Sequence, residues 1–433
     1  MLLRALILII LIKLSILACA DGWDYNQKEF VFLENRNIPF SNISEEINSA
    51  NVYNTIIWAY EEKNKEKNLK EWKKELKDIY SLQEVEEFVY KRINLQNLKD
   101  KEILDYINFV KEQEEHVTFH YYFSDEEKTK LKDYNLLLNE ALHKIDETSS
   151  SWLKLRYFYL ALRLAHYKKH NPLKIYEKYK YLLENNTQTV VKDWILGLYA
   201  GALVKNGETV KGVYEFSRLF SEDKINSHLS YYNFFHIKTN EQWNELLNLA
   251  KSNEEKTKFY ALRALNENSN VLEELQNIYT LDKNSKWFEF VLFRELLNTQ
   301  HYFDQHSDYE RNFNFKKYIE FLNTIKKDDM YLVNLSLAYF HLYEKNFEKS
   351  LEITNELLRI YPNSHEVQTL SYILYLEQLK NIDTKTENKI YEKMTILTKN
   401  EINSTSIHDY TSVVLEKLYL NQITNWKNIK VDP

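Results

Sequence analysis

Glycine occurs five times and proline four times in 433 residues, where average usage of about 7% and 5% would give roughly 30 and 20. Sandwiches and barrels need frequent turns, and most α/β sites need glycine where the backbone approaches a phosphate. Both classes are therefore disfavoured. A chain that is 44% hydrophobic and 28% charged is not disordered throughout. The remaining class is all-α with no significant β-sheet, and this length suits several domains or one extended repeat array.

Residues 1–18 combine Arg4, a greasy run from Ala5 to Ile12, Lys13 and a second apolar stretch from Leu14. These are the parts of a secretory signal peptide. As a spanning helix the stretch is short and interrupted, since about 20 apolar residues are wanted. Two cleavage sites compete, and an uncleaved anchor is the third reading. Ala18-Cys19-Ala20 is a small-x-small site that would release a chain beginning at Asp21. Ile16-Leu17-Ala18-Cys19 resembles the lipobox of bacterial lipoproteins, which implies acylation of Cys19 and attachment to a bacterial cell envelope, with the outer membrane the expected site. Cys19 is the only cysteine, so acylation would leave no free thiol and no disulfide, and stability would rest on packing.

Residues 19–43 hold Trp23, Tyr25, Phe30, Phe32, Pro39 and Phe40 without a sustained helical period, which reads as an extended, aromatic-rich strap. From Ser44 onward the pattern is helical. Ser81-Leu-Gln-Glu84, Ser124-Asp-Glu-Glu127, Ser252-Asn-Glu-Glu255 and Thr384-Lys-Thr-Glu387 all fit the capping box that opens a helix. Leu153, Tyr157, Leu160, Ala161 and Leu164 share one face at helical spacing. The best strand candidate, Val117 to Phe123, reads better as helix. Residues 44–150 form a helical region without a demonstrable repeat.

Residues 331–364, YLVNLSLAYFHLYEKNFEKSLEITNELLRIYPNS, place small residues at Ala338 and Ser350, an aromatic at Phe347 and a closing Pro362. Small residues at those places let two antiparallel helices meet closely. The stretch resembles a tetratricopeptide repeat, with Asn334 where the tryptophan usually stands and Thr354 in place of an aromatic. Residues 193–226 match again through Ala200, Gly201, Gly207, Gly212 and Phe216, and 152–186 and 254–285 have the same two-helix outline. The resemblance implies a right-handed α-solenoid of stacked hairpins over 151–433, with a loop insertion near 300–315 and a concave surface for a protein or peptide partner. The C-terminal stretch from Thr424 lacks an obvious polar capping helix, so such an array is expected to end on a partner or a further piece.

No enzyme motif is found: a glycine-rich phosphate loop, a Gly-x-Ser-x-Gly elbow and a His-Glu-x-x-His helix are all missing. No catalytic residue, cofactor or metal ligand is assigned. Three histidine groups have chelating spacing, namely Glu112 with His116 and His120, His166 with His170, and His301 with Asp304 and His306. Zinc wants four ordered ligands and each group offers two or three, so packing is the expected role. Lysines from Lys63 to Lys77 alternate with glutamates and read as a solvated helix face; a net charge of −7 without an arginine cluster excludes nucleic acid as the expected partner. The expectation is a lipid-anchored envelope scaffold that binds a protein or peptide. The alternative is a glycan-binding or glycan-processing envelope protein using aromatics such as Tyr231, Tyr232, Phe234 and Phe235.

Overall fold

A computed structural model describes residues 53–117, 133–168, 170–184, 189–221, 227–266, 269–302, 313–327, 330–398, 407–408, 410–416 and 418–420, with side chains from residue 63 onward. The expected signal segment, Cys19, the expected strap, the capping box expected at Ser124 and the C-terminal stretch from Thr424 lie outside these residues. The protein is all-α, and the described residues contain no strand. The chain divides between Glu295 and Leu296 into two compact units.

In the unit that ends at Glu295 the α-helices are α1 (Tyr53–Glu75), α2 (Leu82–Glu86), α3 (Lys101–Val117), α4 (Tyr134–Glu147), α5 (Ser151–Lys168), α6 (Pro172–Tyr179), α7 (Val190–Lys205), α8 (Thr209–Ser217), α9 (Ser227–Phe234), α10 (Asn240–Leu249), α11 (Asn253–Ala264) and α12 (Val271–Leu281). The unit boundary falls inside α13 (Lys286–Tyr302). The other unit holds α14 (Phe315–Ile325), α15 (Tyr331–Tyr343), α16 (Phe347–Ile360), α17 (His365–Glu377) and α18 (Thr384–Thr398). Because α13 runs to Tyr302, residues 300–302 of the expected loop are helical, and 303–312 lie outside the described residues. Val117 closes α3, and the remainder of the strand candidate lies outside them as well.

Side-chain caps punctuate these helices in place of glycine. Asp133, Asn171, Thr189, Asn270, Asn314, Asn346 and Ser364 each accept a backbone N–H in the first turn of the helix that follows, which satisfies donors the helix itself cannot. Pro172 follows Asn171 at the start of α6, where its missing N–H costs nothing. The Ser81 box is complete, with Glu84 reaching back to the Ser81 N–H at 2.8 Å. Ser252 caps α11, but Glu255 reaches the Lys251 N–H instead, at 2.8 Å. At Thr384 the expectation is corrected: Asp383 is the cap, accepting the Thr386 N–H at 2.7 Å, and Thr384 is already helical. A carboxylate one residue earlier outcompetes the hydroxyl. A further box at Thr239 and Gln242 opens α10.

Successive helices pack as neighbours: α5 on α6, α7 on α8, α11 on α12, α15 on α16 and α16 on α17. Two of these hairpins share one loop. Between α7 and α8 run Asn206, Gly207 and Glu208; between α15 and α16 run Glu344, Lys345 and Asn346. Both middle residues are left-handed, Gly207 at φ 88° and Lys345 at φ 57°. The last N–H of each loop returns to the same place in the preceding helix, Glu208 to Leu203 O at 3.0 Å and Asn346 to His341 O at 2.9 Å. This is the 6→1 bond that closes a helix with a left-handed residue. Lysine holds that conformation at a cost of about 1 kcal/mol that glycine avoids. Lys345→Gly is therefore expected to raise stability by at most about 0.5 kcal/mol once the larger unfolded-state entropy of glycine is included, read as a higher denaturant midpoint at unchanged slope.

The crossing of each hairpin is as close as its small residues require. Ser350 Oγ donates to Ala338 O at 2.6 Å, and a Cβ at Gly212 would lie 2.8 Å from Ala200 O. Asn334 is buried and folds back to donate to Lys327 O and Met330 O, at 2.8 and 3.0 Å. Thr354 donates to Ser350 O at 2.7 Å.

One hydrophobic core runs from Trp72 to Ile195, straight through the boundary expected at 150/151. The cause is α5, which buries Leu153, Leu155, Arg156, Tyr157, Phe158 and Leu160. Those positions point in every direction around a helix. Besides α6 and α7, it is packed by α3 and α4. The helical region before 150 thus shares the core of the first hairpins.

Candidate interaction surface

Within that core the guanidinium of Arg156, 2% exposed, lies against two indoles. Its central carbon is 4.0 Å from the Trp152 ring centroid and 4.7 Å from that of Trp72. The two indoles meet edge to face at 4.6 Å. Arg156 Nη2 donates to Asn68 Oδ1 at 2.8 Å and to Glu71 Oε2 at 3.3 Å. Glu71 also accepts the Val190 N–H and the Thr189 hydroxyl, each at 2.7 Å. One carboxylate of α1 therefore serves both a cation of α5 and the N-terminus of α7, where negative charge is favoured. Asn64 of α1 accepts the Trp194 indole N–H of α7 at 2.9 Å. Asn68 Nδ2 donates to the Tyr90 hydroxyl at 2.8 Å. Burial lowers the pKa of Arg156 against the opposing pull of Tyr106 and Glu71, and it pushes Tyr106 up to about 12. The node fastens three helices; nothing in the spacing of these residues marks it in the sequence.

Closer to solvent, Tyr176 of α6 and Tyr199 of α7 stack in parallel, with centroids 3.7 Å apart and planes 8° from coplanar. Beside them Glu215 and Arg218 form an ion pair at 2.6 Å, and both rings feel its charges. Tyr214 of α8 donates to Glu255 of α11 at 3.3 Å. Burial first, then the neighbouring carboxylates, raises the pKa of all three phenols, that of Tyr176 to about 12. They stay protonated donors at neutral pH. Tyr176, Tyr199 and Tyr214 are each only partly buried, so the cluster offers ring faces and hydroxyls at the seams of α6, α7, α8 and α11.

The aromatics singled out from sequence divide. Phe234 is core, edge to face with Trp243 at 6.3 Å. Tyr231 packs against Tyr232 and Phe235 at 5.2 and 5.1 Å, and Tyr232 is 37% exposed. Tyr176 and Tyr199 lie 23 residues apart, so no local pattern joins them; only the hairpin crossing does.

Of the three histidine groups, only the pair His166 and His170 lies wholly within the described residues. His166 sits against Gly201, and its Nε2 accepts from Lys205 Nζ at 2.9 Å. Burial, then the Lys205 charge, lowers its pKa. His170 lies beyond the end of α5 at Lys168, so the helical spacing does not continue to it. Its ring is 5.1 Å from Tyr134, which is also 6.2 Å from His116. Tyr134 is thus a ring neighbour of both imidazoles. Glu112 is exposed, while His120, Asp304 and His306 lie outside the described residues. Among the described residues no three potential metal ligands converge.

No protein-family model, curated protein or solved structure matches this chain. Among the described residues no helix is long and apolar enough to cross a membrane.

Proposed function

We propose that the protein is a lipid-anchored scaffold of a bacterial envelope, attached through Cys19, whose stacked helical hairpins form an α-solenoid that binds a protein or peptide partner. The observation that carries the binding reading is the partly exposed Tyr176–Tyr199 stack with Tyr214 and the Glu215–Arg218 pair beside it. Tyrosine and arginine are the side chains that supply most binding energy at protein interfaces, because each combines a large contact area with directed hydrogen bonds. The shared loops of the α7–α8 and α15–α16 hairpins support the repeat reading. The Ile16-Leu17-Ala18-Cys19 sequence supports the anchor.

The anchor is tested by the intact mass of the protein from its own membranes beside a Cys19→Ser version. A chain that starts at Cys19, carries diacylglyceryl and acyl groups, and leaves the membrane in the variant is the expected result; a chain that starts at Asp21 and is soluble would sink it. Binding is tested separately by a photo-crosslinking amino acid at position 199 in the native envelope. One discrete protein adduct is expected, absent when the crosslinker is moved to exposed Lys283. No adduct at either position would remove the proposed surface.

A further inference from the structure

From residue 63 onward α1 has two unlike faces. Asn68, Trp72 and Leu76 are buried at four-residue spacing. On the opposite side stand Lys63, Lys67, Lys70 and Lys74. At 3.6 residues per turn these four fall within about 60° of one another, centred opposite Trp72, along roughly 17 Å of helix. The sequence alternates lysine with glutamate here, but the fold separates them. Glu71 turns inward to Arg156 and the start of α7, and Glu75 is partly buried. Glu66 borders the stripe and pairs with Lys70 at 2.5 Å, with both side chains 63% exposed. Lys73 lies on one flank, paired to Asp78, and Lys65 lies on the Trp72 side of the helix, paired to Glu86. A chain of net charge −7 therefore carries one straight row of lysines on a helix held rigidly to its core.

We propose that this lysine row of α1 rests on an anionic phospholipid surface and sets the orientation of the anchored protein. A straight row of like charges on a fixed helix matches a flat anionic sheet, and each lysine near such a surface contributes attraction that fades within a Debye length. Four lysines give too little attraction for stable attachment by themselves. They suffice to choose which side of a tethered protein faces the membrane, because the tether already supplies a high effective concentration. A soluble polyanion offers the same charges without the plane, and it is the outcome the test must separate. The inference deepens the anchored-scaffold reading but does not depend on native acylation for its test.

Cys19 is the only thiol, so the chain from Cys19 onward can be coupled to a maleimide lipid in vesicles, whatever the native protein carries. Lysine acylation read by mass spectrometry then reports which amines are covered. On vesicles with about 30% phosphatidylglycerol, Lys67, Lys70 and Lys74 are expected to be labelled roughly threefold more slowly than on pure phosphatidylcholine, an effect lost at about 0.5 M salt. Exposed Lys283 and Lys385 serve as unchanged references. The Lys67→Glu, Lys70→Glu, Lys74→Glu variant should move protection away from Lys63. Equal labelling on both vesicles at low salt would overturn the proposal. So would protection by soluble polyphosphate without protection by phosphatidylglycerol.

Discussion

Gly212→Ala is expected to lower the unfolding free energy by about 2–3 kcal/mol, the range for forcing a methyl group into a filled contact. A Cβ at this position would stand 2.6 Å from Val204 Cγ2, 2.8 Å from Ala200 O and 3.0 Å from Val204 N. The valine methyl can be trimmed, but the carbonyl and amide belong to the backbone of α7. Val204→Ala in the same chain should therefore recover only part of the loss, a coupling that a double-mutant cycle in urea would measure. Full recovery would mean that the side chain alone sets the crossing distance. Ser350→Ala, at the corresponding place in the α15–α16 hairpin, should cost about 1 kcal/mol, because there the backbone already makes room for a Cβ and only one hydrogen bond is lost.

Those two positions show why the helical hairpins could be read from residue types. Close approach leaves a mark at single sites: a Cβ at 212 meets the backbone of α7, and Ser350 is fully buried with its hydroxyl on Ala338 O. Helix starts leave a similar mark, since Ser81 and Pro172 act locally and their neighbours in sequence are their neighbours in space. Local readings fail where two local solutions compete. Thr384 and Asp383 both could cap α18, and only the geometry reveals that the carboxylate does. Pairings across the chain leave no mark of this kind. Asn64, Asn68 and Glu71 look like any polar side of a lysine-rich helix, yet they are the hooks that hold α1 to Trp194, Arg156 and the start of α7. Tyr176 and Tyr199 were hidden for the same reason among 33 tyrosines. The histidines show the limit of spacing as a signal. His166 and His170 have chelating spacing, but α5 ends between them, and spacing has meaning only while the helix continues.

The hooks on α1 also give the second large expected effect. Glu71→Ala should destabilise the protein by about 3 kcal/mol, because it leaves a buried guanidinium without its carboxylate. It also takes the acceptor from the Val190 N–H and the Thr189 hydroxyl. Glu71→Gln should cost less, since an amide oxygen still accepts one of these bonds while the charge is lost. Arg156→Met should fall between wild type and Glu71→Ala. Its unbranched side chain can pack against Trp72 and Trp152, and Glu71, a fifth exposed, keeps its two partners at α7. The order Glu71→Ala, Arg156→Met, wild type in denaturant midpoint would establish that the carboxylate carries the joint. If Arg156→Met proved the worse of the two, the cation against the indoles would be the dominant element, and α7 would be held by its packing instead. Either order can be compared with hydrogen exchange at Val190 and Val191, whose amides should lose protection in Glu71→Ala and keep it in Arg156→Met.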